Sequence, residues 1–221
     1  MLRTAGLILL VFFFLTSVSL GQDGHFDVSV NAAGIFTKQS TGFGVTQSAT
    51  EGGGGFGTFR VRFKQKHSFV FNYGRNKNSQ IFQTVDSFHV LTNLSEYSFA
   101  YMFTPFRKGR FEPFLLGGVG ELRFSPRTTW VFFPPLTIGV PNNIQVNLNA
   151  AKQAQLAYIY GGGVDYQLPV FKRLALRLQY RGFIYKEPDF KVDANAGSAV
   201  SFFTGAKGHI AEPSVGLVFR F

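Results

Sequence analysis

Ten charged residues fall opposite aromatic or aliphatic residues in short alternating segments: Arg60, Arg62, Glu96, Glu121, Arg123, Asp165, Arg177, Arg181, Glu212 and Arg220. Residues two apart on an extended chain share a face. Guanidiniums and carboxylates gathered on one enclosed face do electrostatic chemistry: they pair and satisfy one another in a polar interior. Nothing reads as a reactive centre. A base and a nucleophile on one strand face need a spacing of two, yet His25, His67, His89 and His209 are followed at that distance by Asp27, Phe69, Leu91 and Ala211. His67 and Ser68 are adjacent and so point to opposite faces. Asp189 and Asp193 share a loop with His209 and read as solvated charges. Scattered histidines and the lack of cysteine give no metal-ligand spacing and no disulfide. Gly52–Gly57 formally contains GxGxxG, but a polar loop precedes it and a strand follows, the wrong setting for a dinucleotide. No catalytic residue, cofactor or metal is expected.

The elements that must position those charges are strands. Eight are expected, joined alternately by short turns and long loops. The first spans about Phe26–Phe36, and a Gly-rich loop runs to about Gly54. The second, about Phe56–Lys64, sets Phe59, Val61 and Phe63 against Arg60 and Arg62. After a turn at Gln65–His67, the third carries Phe69, Phe71 and Tyr73 on one face. The fourth, about Ser95–Thr104, places Tyr97, Phe99, Tyr101 and Phe103 opposite Glu96. A turn at Pro105–Arg110 leads to the fifth, Phe111–Phe124, with Phe114, Leu116, Leu122 and Phe124 expected outward and Glu121 and Arg123 inward. The sixth, Gln153–Gln167, sets Tyr158, Tyr160, Val164 and Tyr166 against Asp165. A turn at Leu168–Arg173 precedes the seventh, where Leu174, Leu176, Leu178 and Tyr180 alternate with Arg177 and Arg181. The eighth ends on Val215, Leu217, Phe219 and Phe221, alternating with Ser214, Gly216, Val218 and Arg220.

Composition says which face meets what. Phe occurs 28 times in 221 residues, aromatics reach 17 % and charged residues only 15 %. An ordinary water-facing domain carries about 25 % charge. Beyond the N-terminus no apolar run approaches the ~18–20 residues of a spanning helix, whereas spanning strands expose only alternate residues to lipid. Arg3 followed by the apolar Leu7–Leu15 and the small residues Ser19 and Gly21 reads as a signal peptide over residues 1–21, with Gln22 the first mature residue. The formal charge of +10 does not signal nucleic-acid binding, because the basic residues sit singly in strands or in pairs at turns.

These features define an all-β chain: an eight-stranded antiparallel up-and-down transmembrane barrel over residues 22–221, with rings toward lipid and charges in the lumen. A ten-stranded alternative would draw an extra hairpin from the connection Ser125–Ala151. A soluble lipocalin-type barrel would instead put rings inside and charges outside.

Pro113–Gly120 (PFLLGGVG), Gly161–Tyr166 (GGGVDY) leading into Leu174–Arg177 (LALR), and the Phe221 ending resemble the OmpA-like transmembrane barrel family of small bacterial outer-membrane proteins. The resemblance implies export to the outer membrane and recognition of Val215, Leu217, Phe219 and Phe221 by the barrel-assembly machinery. It also implies a barrel without the peptidoglycan-binding domain of longer members. The function it implies is non-enzymatic: envelope integrity and surface loops for adhesion or ligand contact. A narrow porin-like channel is the alternative, and a lipid-modifying enzyme stands behind it.

Two surface features complete the reading. Lys64, Lys66, Arg107, Lys108, Arg110, Lys172 and Arg173 flank the three short turns, a cationic ring suited to anionic headgroups of outer-membrane lipids. Trp130, Phe132 and Phe133 make the longest connection apolar: a candidate contact for a surface ligand, or equally a segment that dips into the headgroup region or extends the fifth strand beyond the membrane.

Overall fold

Alternation of aromatic or β-branched residues with small or polar ones favours strands half-buried on one face, and the computed structural model is built of them. It describes residues 25–84, 87–132, 141, 143–146, 150–171, 173–190 and 202–221; the expected signal peptide lies outside these. The strands are β1 (Phe26–Thr37), β2 (Ser40–Gly42), β3 (Val45–Ala49), β4 (Gly52–Lys64), β5 (His67–Lys77), β6 (Gln80–Gln83), β7 (Ser87–Phe103), β8 (Phe111–Phe132), β9 (Asn143–Val146), β10 (Gln153–Gln167), β11 (Leu174–Lys186) and β12 (Lys207–Arg220).

Eight of them are full staves. Each pairs antiparallel with its neighbour in the order β1, β4, β5, β7, β8, β10, β11, β12, and β12 returns to β1 with Asp27 opposite Arg220. The sheet is closed, so no stave is left with an unpaired edge. Short turns join β4 to β5, β7 to β8 and β10 to β11, and Phe26 and Phe221 lie at the same end, hereafter the turn end. The longer connections meet at the opposite, loop end.

The loop end is more ordered than the sequence suggests. The β6–β7 hairpin starts β7 at Ser87, ahead of the expected Ser95, because Phe88, Val90, Thr92 and Leu94 continue the inward alternation. β3 adds to β6 and β2 adds to β3. β8 runs on past Phe124 to Phe132, where β9 takes the side that β10 occupies lower down. β9 therefore lengthens a stave without adding one, and among the described residues the barrel has eight staves, not ten. Gly52–Gly54, expected at the end of the Gly-rich loop, are the first residues of β4 and pair with β1.

Candidate functional site: an ion-paired lumen

Outward faces carry the rings, including Phe59, Phe69, Phe71, Tyr97, Phe99 and Tyr158. Val215, Leu217 and Phe219 point outward on β12, and the Phe221 ring packs edge-on against Phe219 at 4.8 Å. The inward faces are polar, and two charge clusters fill them.

The larger cluster lies toward the turn end. Asp165 on β10 accepts two hydrogen bonds from Arg177 on β11 (2.7 and 2.9 Å) and one from Arg60 on β4 (3.1 Å). Arg60 also pairs with Asp27 on β1. Arg62 bridges Asp27 and Glu112 at 3.1 and 2.8 Å, and Arg220 reaches Glu112 at 3.0 Å and Asp165 at 3.4 Å. Arg107, in the β7–β8 turn, closes the mouth with a 2.8 Å pair to Glu112. Six staves thus contribute to one network. Its members are spread through the sequence and meet only in the closed barrel.

The smaller cluster sits farther up. Arg181 on β11 donates to Glu96 Oε1 and Oε2, both at 2.8 Å, and to Glu212 Oε1 through Nε at 2.8 Å. Its guanidinium lies over the Phe56 ring, and Glu96 accepts a further bond from Ser98 at 2.6 Å. Between the clusters runs a neutral polar layer in which Thr58 donates to Asn72 (2.8 Å) and Asn72 to Ser98 (3.0 Å). Above both, a hydrophobic plug shuts the loop end: Phe82 stacks on Phe202 at 4.5 Å and meets Phe190 edge-on at 6.0 Å, with Ile35, Val45, Val90 and Ile210 around them.

Glu121 and Arg123 were expected in this lumen, and the structure corrects both. They form an ion pair on the outer wall, 41 % and 57 % exposed, with Arg123 over the Tyr97 ring at 5.0 Å. Phe114, Leu116, Leu122 and Phe124 are buried inside instead of facing out. Both faces of this segment are apolar, so hydrophobicity does not choose between them. Its two acids, Glu112 and Glu121, have opposite parity, so one must point outward in either arrangement. Glu112, which the sequence reading passed over, is the inward one, and Asp27 is the other missed member. The signal for Asp27 was its place between the outward Phe26 and Val28.

Trp130 and Phe132 lie in β8, so of the alternatives for this segment the structure has the extended strand and not a loop; Phe133 falls outside the described residues. Phe132 packs on His89 at 4.2 Å. Exposed rings at the loop end include Phe43 (81 % exposed), at the tip between β2 and β3, and Phe203, with centroids 5.3 Å apart. No sequence periodicity marks them, because both lie outside the alternating segments.

The histidines are dispersed. His209 bonds Tyr160 (2.6 Å), while Asp189 is held by Gln153 (2.8 Å), and Asp193 lies outside the described residues. His89 Nε2 does lie 3.1 Å from Ser87 Oγ, a nucleophile–base contact in which the serine precedes the histidine by two residues. An active pair needs the base oriented by a third group. Among the described residues Ser87 is the side-chain hydrogen-bond partner of His89, and the Phe132 ring packs on the imidazole.

The architecture recurs in solved structures. Neisserial surface protein A superposes with a TM-score of 0.53 at 16 % identity, covering 89 % of this chain and 97 % of that one. The outer membrane protein OprG from Pseudomonas aeruginosa gives 0.51 at 11 % identity, with 89 % and 95 % covered. The outer membrane protein AlkL, solved by solid-state NMR in DMPC bilayers, gives 0.51 at 15 %, with 92 % and 93 % covered. No protein-family model and no curated protein matches the sequence. The likeness is one of fold, and it defines the class: a small, closed, eight-stranded barrel of the outer-membrane type, with rings outside and ion pairs within.

Proposed function

We propose that this chain is a non-enzymatic outer-membrane barrel that strengthens the envelope and presents its loop end for adhesion or ligand contact. The ion-paired, plugged lumen carries this reading. Five guanidiniums (Arg60, Arg62, Arg177, Arg181, Arg220) meet five carboxylates (Asp27, Glu96, Glu112, Asp165, Glu212) inside it. Eight strands leave an interior that side chains can fill, and here they do so from the charged mouth to the Phe82–Phe202 plug.

The outward rings fit lipid contact. The turn end then lies in the periplasm and the extended hairpins outside the cell, where Phe43 and Phe203 are available to a partner. The outward row of Val215, Leu217 and Phe219 is what the barrel-assembly machinery would read in the last strand.

Planar-bilayer recording on refolded protein, folded as judged by its shifted mobility on unheated gels, tests the reading. No stepwise conductance is expected. Regular single-channel steps would replace it with the porin-like alternative.

A further inference from the structure

We propose that the outer wall at the turn end holds a specific site for an anionic glycerophospholipid of the leaflet beside it. The inference rests on the membrane reading above and deepens it, because it names a lipid class and a place. A groove of about 640 Å³ opens there between β8 and β10. Phe106, Phe111, Val164 and Tyr166 form its wall; Lys108 and Arg110 form its edge.

The backbone explains why the two parts adjoin. Tyr166 pairs with Phe111 and Val164 with Pro113, so the outward faces of the two staves make one continuous apolar strip, with the Phe111 and Tyr166 rings 5.0 Å apart. The turn closes tightly: Lys108 N donates to Phe111 O at 3.0 Å and Phe111 N to Lys108 O at 3.1 Å. Gly109 takes the positive φ of 60° that such a two-residue turn needs. Paired residues share a face, so the bridge places Lys108 on the same outward side as Phe111.

Charge then decides the occupant. Of the three cations in this turn, Arg107 is spent inward on Glu112, whereas Lys108 and Arg110 are exposed, with no ion pair to a carboxylate among the described residues. Two free cations at the end of an apolar groove match a phosphate at the end of acyl chains. A zwitterionic headgroup would bring its own ammonium against them; phosphatidylglycerol would not. The β4–β5 turn carries lysines as well, but its wall is filled by Phe63 stacked on Phe69 (4.9 Å) and facing His67 (5.9 Å).

Native mass spectrometry of the full refolded chain, offered phosphatidylglycerol or phosphatidylcholine with the same acyl chains, tests this. One phosphatidylglycerol should be retained per barrel in preference to phosphatidylcholine. That preference should fall about fivefold for each cation removed in Lys108→Gln and Arg110→Gln. Val164→Trp, which fills the groove and leaves the cations, should weaken retention of both lipids. Equal retention of the two lipids, or an unchanged preference in the double variant, overturns the site. So does displacement of the lipid by millimolar inorganic phosphate, which would make this a free-anion site. Labelling of a Lys108→Cys variant by an impermeant maleimide separates the two levels of the claim. Reaction on intact cells would sink the topology and with it the proposed function. Reaction only after the outer membrane is permeabilised, combined with no lipid preference, would sink the groove alone.

Discussion

The Arg181 guanidinium lies 3.7 Å from the centroid of the Phe56 ring. A planar cation on an aromatic face is attracted by the ring quadrupole, and its edge stays free to donate in the plane. Here the edge serves Glu96 and Glu212 together. Removing Arg181 leaves two buried carboxylates facing each other. Arg181→Met should cost about 3–5 kcal/mol in urea unfolding from lipid vesicles, the range for breaking a buried pair from one side. Arg181→Lys should recover little, since an ammonium neither stacks nor forks. Adding Glu96→Gln and Glu212→Gln to Arg181→Met should restore most of the loss, and no restoration would show that the ring contact dominates.

The corrected parity of β8 makes a paired prediction. Glu112→Gln weakens the acceptor shared by Arg62, Arg107 and Arg220 and should lower the unfolding midpoint clearly. Glu121→Gln touches an exposed pair and should leave the midpoint where it was. The reverse ranking would return Glu121 to the lumen.

Glu187 follows the last residue of β11 at the loop end, beside Ser40 and Tyr185, and burial pushes its carboxyl up to about 7. A carboxyl raised above its ordinary 4.5 favours the folded rim in its protonated form. That stabilisation is complete below about 4.5 and is lost as pH rises through about 7. Hydrogen exchange at the start of β12 should therefore be slower at pH 5 than at pH 8, after correction for intrinsic rates. Glu187→Gln should make the protection the same at both.

Ser87 and His89 offer the described residues' own check on enzymology. With Phe132 against the imidazole, the pair has geometry without an orienting acid among the described residues. A fluorophosphonate probe should leave folded protein unlabelled. Labelling that disappears in Ser87→Ala would establish an active serine and overturn the non-enzymatic reading.

The barrel was legible because seven staves have one apolar and one polar face, so a period of two fixed both the strand and its orientation. Asp165, Arg177 and Arg181 followed from Tyr166, Leu178 and Tyr180 beside them. β8 failed where that contrast vanishes: its inward Phe114, Leu116 and Leu122 are as apolar as its outward Leu115 and Val119. The loop-end hairpins β2–β3 and β6–β7 were hidden for a different reason. β2 and β3 are short and polar and hold by pairing, β3 with the distant β6, whereas β6 and the start of β7 carry an alternation through Phe82, Phe88 and Val90 that is interrupted by the turn between them.

Gly163 shows how far one atom matters. A Cβ there would stand 2.7 Å from Phe114 Cζ and 2.3 Å from Leu178 O. The bare backbone admits the ring on which Arg177 rests, 5.0 Å from its centroid.

The seam between β1 and β12 has a consequence for how the molecule is made. Asp27 and Arg220 face each other across it, and Arg220 brings the cation that Glu112 shares with Arg62. Until the last stave docks against the first, both edges lie open and the carboxylates nearest the mouth are short of a counter-charge. Hydrogen bonding and charge balance are then completed in the same event. An incompletely wound chain gains neither, so the final join acts as a checkpoint: the barrel either shuts with its charges matched or stays recognisably unfinished.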